Sequence, residues 1–73
     1  MTFGERLRKA RYKTGMSQAD VAKLADMEPS AISHYEKDRR RPSLENLRLL
    51  CHALNVSADY LVGFRELMTP CRS

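Results

Sequence analysis

The sequence predicts an all-α fold in which one small domain contains five short helices. Its 73 residues leave room for a single domain. Capping residues recur at short intervals, and between them the apolar residues are spaced three or four apart, as on one face of a helix. Alternating runs of β-branched and aromatic residues, which indicate strands, do not reach five residues. We therefore expect a compact helical domain over residues 1–68 and a flexible tail over residues 69–73.

The first predicted helix, residues 3–14, follows a capping box made by Thr2 and Glu5. In this motif each side chain bonds the backbone N–H of the other residue at the start of a helix. Gly15 suits the left-handed position that ends a helix. The apolar face of this helix consists of Phe3, Leu7 and Ala10.

A second and a third helix follow at once. Ser17 and Asp20 have the spacing of another capping box, which opens a helix over residues 18–25. After a three-residue connection, Pro29 begins a third helix that ends near Glu36, because proline is favoured in the first turn of a helix. The residues expected in the core are Val21, Ala22 and Ala25 from the second helix, and Ile32 and Tyr35 from the third.

Two more helices complete the domain. A polar loop over residues 37–42 precedes a fourth helix, which Ser43 caps and Asn55 ends. Ser57 caps a short fifth helix over residues 58–62. The apolar face expected for the fourth helix consists of Leu44, Leu47, Leu50, Cys51 and Leu54.

The second and third predicted helices form a helix-turn-helix pattern, since only three residues join them. Eight residues of helix span about 12 Å, which is comparable to the width of the DNA major groove. Many all-α domains contain similar corners, so the spacing alone does not assign DNA binding.

The positive charge lies almost entirely in the first part of the chain. Residues 1–41 contain ten Lys and Arg against six Asp and Glu, whereas residues 42–73 contain three of each. The densest cluster is Arg39–Arg41, and the sequence pI is about 9.4. This distribution fits a protein that binds a polyanion, although a solvated charged surface gives the same composition.

Five sequence blocks carry a family resemblance. In order along the chain they are GERLRKAR at 4–11, MSQADVAKLA at 16–25, ISHYE at 32–36, RRRPSLENL at 39–47 and ALNVSADYL at 53–61. Together they resemble the phage repressor and Cro-like family, also called the xenobiotic-response-element type. The resemblance implies a lambda-repressor-like domain of five helices that binds double-stranded DNA, usually as a homodimer on a palindromic operator. It further implies a transcriptional regulator, and we expect a repressor.

The resemblance also implies which residues contact DNA. The third helix would read bases, although Glu28 stands where the family usually has a capping Ser or Thr, and Pro29 cannot donate a hydrogen bond. The loop after this helix would bind phosphates, and the second and fourth helices would add contacts at their N-termini. The expected base-contacting residues are Pro29, Ser30, Ser33 and His34, and the expected phosphate-contacting residues are Ser17, Gln18, Lys37, Arg39, Arg40, Arg41 and Asn46.

Two further predictions concern structure. Arg11 and Glu36 match a pair that joins the first and third helices of the family, so we expect a shielded structural ion pair. Phe64, Leu67 and Met68 are spaced as one apolar stripe of a helix beyond Gly63, and we expect this stripe to form the dimer interface.

Other classes of function are disfavoured. The two cysteines, 20 residues apart, form neither a disulfide framework nor a metal-binding pair, which argues for a reducing, cytoplasmic setting. No apolar run is long enough to span a membrane, and no signal peptide is recognisable.

We expect no enzymatic activity, cofactor, metal or small-molecule ligand, because the chain contains no glycine-rich phosphate loop and no catalytic constellation. The competing interpretation is an antitoxin-like or docking module whose main partner is another protein.

Overall fold

The computed structural model describes residues 1–71, and within this range the protein consists of five α-helices and no strands. The all-α prediction is confirmed, and the helices have the predicted bounds. The longest helix has 12 residues, and no helix of the described chain is both long and apolar enough to cross a membrane. The helices are α1 (Phe3–Thr14), α2 (Gln18–Ala25), α3 (Pro29–Glu36), α4 (Leu44–Leu54) and α5 (Ala58–Val62).

Local hydrogen bonds begin and end most of these helices as the sequence predicts. Thr2 with Glu5 and Ser17 with Asp20 form complete capping boxes at the start of α1 and α2. The hydroxyl oxygens of Ser43 and Ser57 accept the backbone N–H three residues further on, both at 3.1 Å. These contacts satisfy backbone donors that have no partner inside the helix. The residues that end α1, α4 and α5 in the left-handed conformation are Gly15, Asn55 and Gly63.

A single core lies between the helices. Its fully buried side chains include Leu7, Ile32 and Leu50, and burial of each contributes about 2 kcal/mol to folding. Ala10, Ala22 and Ala25 are also buried. The remaining core members are Val21, Tyr35, Cys51, Leu54, Val56, Tyr60 and Leu61.

Gly4 allows α1 to lie directly against the end of α3. A Cβ atom at this position would overlap the backbone carbonyl of Glu36 and lie 2.7 Å from that of Tyr35. Because backbone cannot move aside as a flexible side chain can, any larger residue at Gly4 would separate the two helices.

Leu44, expected on the apolar face of α4, is not part of the core, since this side chain is 85% exposed. Along the same face of α4, Leu47 is half-buried and Leu50 fully buried. The apolar stripe therefore continues on the helix, but its first turn extends beyond the neighbouring helices that could cover it.

The segment after α5 also differs from its prediction. Residues 64–68 are not helical, so Phe64, Leu67 and Met68 do not share a helix face. Phe64 and Leu67 are exposed, whereas Met68 packs against the core. The helix ends because Gly63 is left-handed, with φ 95°, and after this turn the Arg65 carbonyl accepts a hydrogen bond from the Arg6 guanidinium at 3.1 Å.

The first residues of the expected flexible tail make hydrogen bonds to the helical domain. The Ser57 N–H donates to the Thr69 carbonyl at 2.8 Å, and the Thr69 and Ser57 hydroxyls are 2.7 Å apart. The Cys71 N–H donates to the Asn55 side chain at 3.3 Å. These contacts tie residues 69–71 to the turn between α4 and α5, and the last two residues of the expected tail, 72–73, lie outside the described range.

Candidate nucleic-acid interface

The turn between α2 and α3 holds the two helices in a fixed corner. Asp26 ends α2 in the left-handed conformation, with φ 57°. The Met27 N–H donates to the Ala22 carbonyl at 2.8 Å, and the Met27 side chain packs against the core. On either side of the turn, Ala25 and Ile32 are fully buried. Core packing therefore determines the direction in which α3 projects its outer face.

The outer face of α3 carries small polar groups. Of the expected base-contacting residues, Pro29 and Ser30 are exposed, while Ser33 and His34 are half-buried. The backbone of Arg39 lies close to the last turn of α3, because its N–H donates to the His34 carbonyl at 2.9 Å. Throughout residues 1–71, the side chains of Ser30, Ser33 and His34 make no hydrogen bond or ion pair with another residue. They are therefore available to an external ligand.

The start of α3 departs from a typical cap. Glu28 occupies the capping position but its side chain makes no capping hydrogen bond, and Pro29 follows as the first helical residue. Proline has no N–H to satisfy, so this helix start needs fewer partners than the others.

A basic loop, residues 37–42, follows α3. The Asp38 N–H donates to the Tyr35 carbonyl at 3.1 Å, and together with the Arg39–His34 bond this forms a Schellman motif. Asp38 itself is left-handed, with φ 59°. The cationic side chains of the loop are exposed and have no ion-pair partner among the described residues; they are Lys37, Arg39, Arg40 and Arg41.

Asp38 connects this loop to α1, a contact that the sequence analysis missed. Its carboxylate accepts the Thr2 hydroxyl at 2.6 Å and the Gly4 N–H at 2.9 Å. The hydrogen bond from Thr2, then that from Gly4, lowers the pKa of Asp38, and the charge of Arg41 acts in the same direction. The only local signal was an aspartate at a helix end, which does not identify a partner more than 30 residues away.

Arg11 and Glu36 lie together as the expected ion pair between α1 and α3. The Arg11 guanidinium donates two hydrogen bonds to the Glu36 carboxylate, at 2.6 and 3.0 Å, and both side chains are nearly buried. A third Arg11 bond reaches the Met16 carbonyl at 3.1 Å. The hydrogen bond that Arg11 donates to Glu36 raises the pKa of Arg11, so this guanidinium stays protonated.

Three residues expected to contact phosphate have internal partners. The Ser17 hydroxyl caps α2, and the Gln18 side-chain amide donates to Glu36 at 3.1 Å. The Asn46 N–H is bonded to Ser43, and the Asn46 side chain donates to the Tyr35 hydroxyl at 3.1 Å. The backbone donor that Asn46 was expected to offer is therefore already used. Gln18 instead joins α2 to Glu36 of α3, and Asn46 joins α4 to Tyr35 of α3.

Arg6 is a buried residue with a structural role that the helical pattern did not reveal. Its guanidinium donates to the Tyr60 and Arg65 carbonyls at 3.3 and 3.1 Å and pairs with Glu66 at 3.3 Å. It also lies over the Tyr60 ring, 5.3 Å from the centroid. Arg6 therefore fixes the segment that carries Phe64.

Cys51 has the environment expected of a core residue. It is 3% exposed, and burial raises the pKa of its thiol to about 11. Thiolate is the reactive form of cysteine, so Cys51 is unreactive at neutral pH. In the described part of the chain, no group of three or more His, Cys, Asp or Glu residues is placed to hold a metal ion.

The helix-turn-helix arrangement recurs in known proteins. The model of the helix-turn-helix family HTH_3 matches residues 7–61, from the middle of α1 to the end of α5. The chain belongs to this family. The resemblance drawn from the sequence blocks is thereby confirmed, and this family is one of transcription regulators, not of enzymes.

Among curated relatives, the domain is 39% identical over 67 residues to the HTH-type transcriptional regulator ImmR of Bacillus subtilis, covering 92% of this chain and 53% of that protein. It is 41% identical over 60 residues to the repressor protein C2 of Salmonella phage P22, covering 82% of this chain and 28% of that protein. The chain thus spans about half the length of the first of these regulators and less of the second.

A solved structure has the same arrangement of helices. The P22 c2 repressor, in complex with a synthetic operator, matches this helix-turn-helix domain with a TM-score of 0.85 at 37% identity. The match covers 89% of this chain and 98% of that one. The lambda-repressor-like fold expected from the resemblance is therefore confirmed.

Proposed function

We propose that this protein is a sequence-specific regulator of transcription that binds double-stranded DNA with α3 in the major groove. The observation that carries the proposal is the row of unpartnered cations, Lys37 and Arg39–Arg41, directly beside the polar outer face of α3. One surface thus offers both groups that neutralise phosphates and groups that contact base edges.

The basic loop and α3 contribute differently to DNA binding. On a loop, arginine and lysine side chains adapt to the phosphate backbone and supply affinity that does not depend on sequence. On α3, Ser30, Ser33 and His34 share one face and can donate or accept at base edges, while Pro29 can pack on a thymine methyl group. Ser17 and Gln18, at the start of α2, would contact the DNA backbone through the hydroxyl and amide hydrogens that their internal hydrogen bonds leave unused, and Asn46 contributes chiefly by supporting α3.

The ion pair of Arg11 with Glu36 supports this function indirectly. It joins α1 to the last residue of α3, and Gln18 bonds the same carboxylate. Base recognition requires that contacting groups be held within a fraction of an ångström, which needs such a rigid support.

The relatives support the proposal. P22 c2 repressor is described as bound to a synthetic operator, and ImmR is described as a transcriptional regulator. We propose the same kind of role here, as a repressor acting in the cytoplasm. Its operator is palindromic, because a two-fold dimer presents two recognition helices about 34 Å apart, one turn of DNA.

The dimer surface we propose is the exposed apolar part of the segment after α5. Phe64 and Leu67 are 84% and 79% exposed, although residues 64–68 are not helical. Arg6 and the contacts of Thr69 hold the segment against the domain at both ends. A fixed apolar surface loses little entropy when a second copy covers it. Met68 contributes to the core more than to this surface.

A DNA titration at several salt concentrations tests the function. Log affinity for a short random duplex should fall linearly with log salt, with a slope of roughly −0.9 per neutralised phosphate. Arg40→Ala and Arg41→Ala should weaken binding to all sequences and flatten this slope, because each removes a phosphate contact.

The companion variants Ser33→Ala and His34→Ala should behave differently. Each should cost about 1–3 kcal/mol only on sites selected from random DNA, at the base position it contacts. A salt-independent affinity, or recovery of a partner protein with no retention on DNA, would contradict DNA binding and favour a docking module. A changed sequence preference in the arginine variants alone would contradict the placement of α3.

A further inference from the structure

Asp38 stands at the left-handed position of the Schellman motif that ends α3. Its φ is 59°, in a region that glycine enters freely and residues with a side chain enter rarely. Asp26, at the end of α2, has nearly the same φ of 57°. The two aspartates differ in one respect that matters: only the carboxylate of Asp38 has a hydrogen-bond partner among residues 1–71.

That partner is the beginning of α1. The Thr2 hydroxyl donates to one oxygen of Asp38 at 2.6 Å, and the Gly4 N–H donates to the other at 2.9 Å. Gly4 N–H is one of the donors that a helix leaves unsatisfied at its N-terminus, where a negative charge is also stabilised. The carboxylate thus forms a link between the start of α1 and the start of the basic loop.

The link lies beside the cations of the loop. Arg39, Arg40 and Arg41 follow Asp38 directly, and Pro42 then restricts the conformation of Arg41. Without the carboxylate contacts, the loop would be held only by its two ends, the Schellman motif and the Ser43 cap.

We propose that Asp38 is a positioning residue that holds the phosphate-binding arginines in place by tying their loop to the N-terminus of α1. This inference rests on the proposed function. It means that α1, which lies outside the helix-turn-helix corner, takes part in DNA affinity through one carboxylate.

Simple electrostatics predicts the opposite effect. An acidic residue beside three arginines repels phosphate, so its removal should strengthen DNA binding. If Asp38 positions the loop, its removal should weaken binding in spite of the gain in positive charge. The sign of the change therefore separates the two interpretations.

The experiment compares variants of equal charge on a short random duplex. Asp38→Asn removes the charge but leaves an oxygen for the Gly4 N–H, and Asp38→Gly removes both contacts while easing the backbone. We expect DNA affinity to decrease from wild type to Asp38→Asn to Asp38→Gly, and Asp38→Gly to bind about tenfold more weakly than wild type. Asp26→Gly, the matched control at the other left-handed aspartate, should bind as wild type or more tightly.

The other end of the link provides a second arm. Thr2→Val removes both the hydroxyl that donates to Asp38 and the cap of α1, without changing charge. At a temperature where this variant is fully folded it should also bind DNA more weakly, whereas Thr2→Ser keeps the hydroxyl and should bind as wild type. Added to Asp38→Gly, Thr2→Val should have little further effect on affinity, because the contact is already absent.

Backbone relaxation by NMR and thermal unfolding distinguish positioning from general stability. At a temperature where each variant is fully folded, the amides of Arg40 and Arg41 should become more mobile in Asp38→Gly but not in Asp26→Gly. Tighter or unchanged DNA binding by Asp38→Gly would overturn the inference. So would weaker binding with unchanged loop mobility, since the loss of affinity would then not arise from release of the loop.

The proposed function can fail separately. If wild-type protein does not bind duplex DNA in a salt-dependent manner, the proposed function is wrong, and the inference fails with it. If wild type binds and the Asp38 variants bind as well or better, only the inference is wrong.

Discussion

The carboxylate of Glu36 joins three helices by hydrogen bonds. It lies at the end of α3, accepts two hydrogen bonds from Arg11 of α1 and a third from Gln18 of α2. Arg8 lies within 3.6 Å as well. A buried charge is tolerated here because nearly every acceptor site has a donor, and loss of one donor leaves the charge without full compensation.

We therefore expect Arg11→Met to lower the free energy of unfolding by about 3 kcal/mol, since Glu36 would remain buried without its main partner. Arg48→Met is the matched control, because Arg48 pairs with Glu45 on the exposed surface of α4, and it should cost less than about 0.5 kcal/mol. Urea unfolding monitored by circular dichroism measures both. Equal losses in the two variants would show that the buried pair is no more important than the surface one.

At the scale of the helix, α1 and α2 each begin with a carboxylate that takes part in a capping box. Hydrogen bonds from Thr2 lower the pKa of Glu5, and hydrogen bonds from Ser17 lower the pKa of Asp20. A carboxyl group whose pKa is lower in the folded chain stabilises the fold above its ordinary pKa, near pH 4, and loses this contribution as the pH falls through the folded value.

Acidification should accordingly destabilise the protein below about pH 4. Asp20→Asn should be less stable than wild type at neutral pH, and the difference should shrink as the pH is lowered, because wild type then loses the same charged cap. Thermal unfolding at a series of pH values gives both curves. The control is Asp26→Asn, whose carboxylate makes no hydrogen bond in the described structure; a difference that stayed constant with pH in Asp20→Asn would refute the assignment.

At the scale of the whole molecule, the net charge and the proposed dimer surface belong to different parts of the chain. The net charge of +4 arises in residues 1–41, which contain the proposed DNA-binding surface, and residues 42–73 are neutral. The exposed residues Phe64 and Leu67 belong to the neutral part. Association through these two residues would use the neutral part of the chain, whereas the proposed DNA-binding side chains belong to the charged part.

The dimer is best tested by substitution. Truncation after Gly63 would also remove the Arg65 and Glu66 partners of buried Arg6, so a loss of folding would obscure the result. The double variant Phe64→Ser with Leu67→Ser keeps those partners. In sedimentation at tens of micromolar, we expect wild type to be dimeric and the double variant monomeric.

Leu24→Ser provides the control for this experiment, since Leu24 is 64% exposed on α2, far along the chain from the proposed interface. It should remain dimeric. A monomeric wild type, or a double variant that still dimerises, would exclude the proposed surface.

The spacing of capping and apolar residues along the sequence was sufficient to predict where the helices lie. Thr2 with Glu5, Ser17 with Asp20, and the other caps act within four residues, so they determine where each helix begins whatever surrounds it. The same holds for the basic loop, because the order Arg39–Arg41 after α3 is a property of the chain. The family resemblance extended this local information to the pairing of Arg11 with Glu36.

The remaining features depend on which elements meet in space. The sequence determined that Leu44 continues an apolar stripe, but the reach of the neighbouring helices decided that it is exposed. Likewise, Phe64, Leu67 and Met68 have helical spacing, yet the segment is not helical and is held to the domain by the contact of Arg6 with the Arg65 carbonyl. Asp38 bonds Thr2 across 36 residues. Helix starts follow from interactions within one turn, whereas exposure and long-range hydrogen bonds follow from packing, which no local pattern encodes.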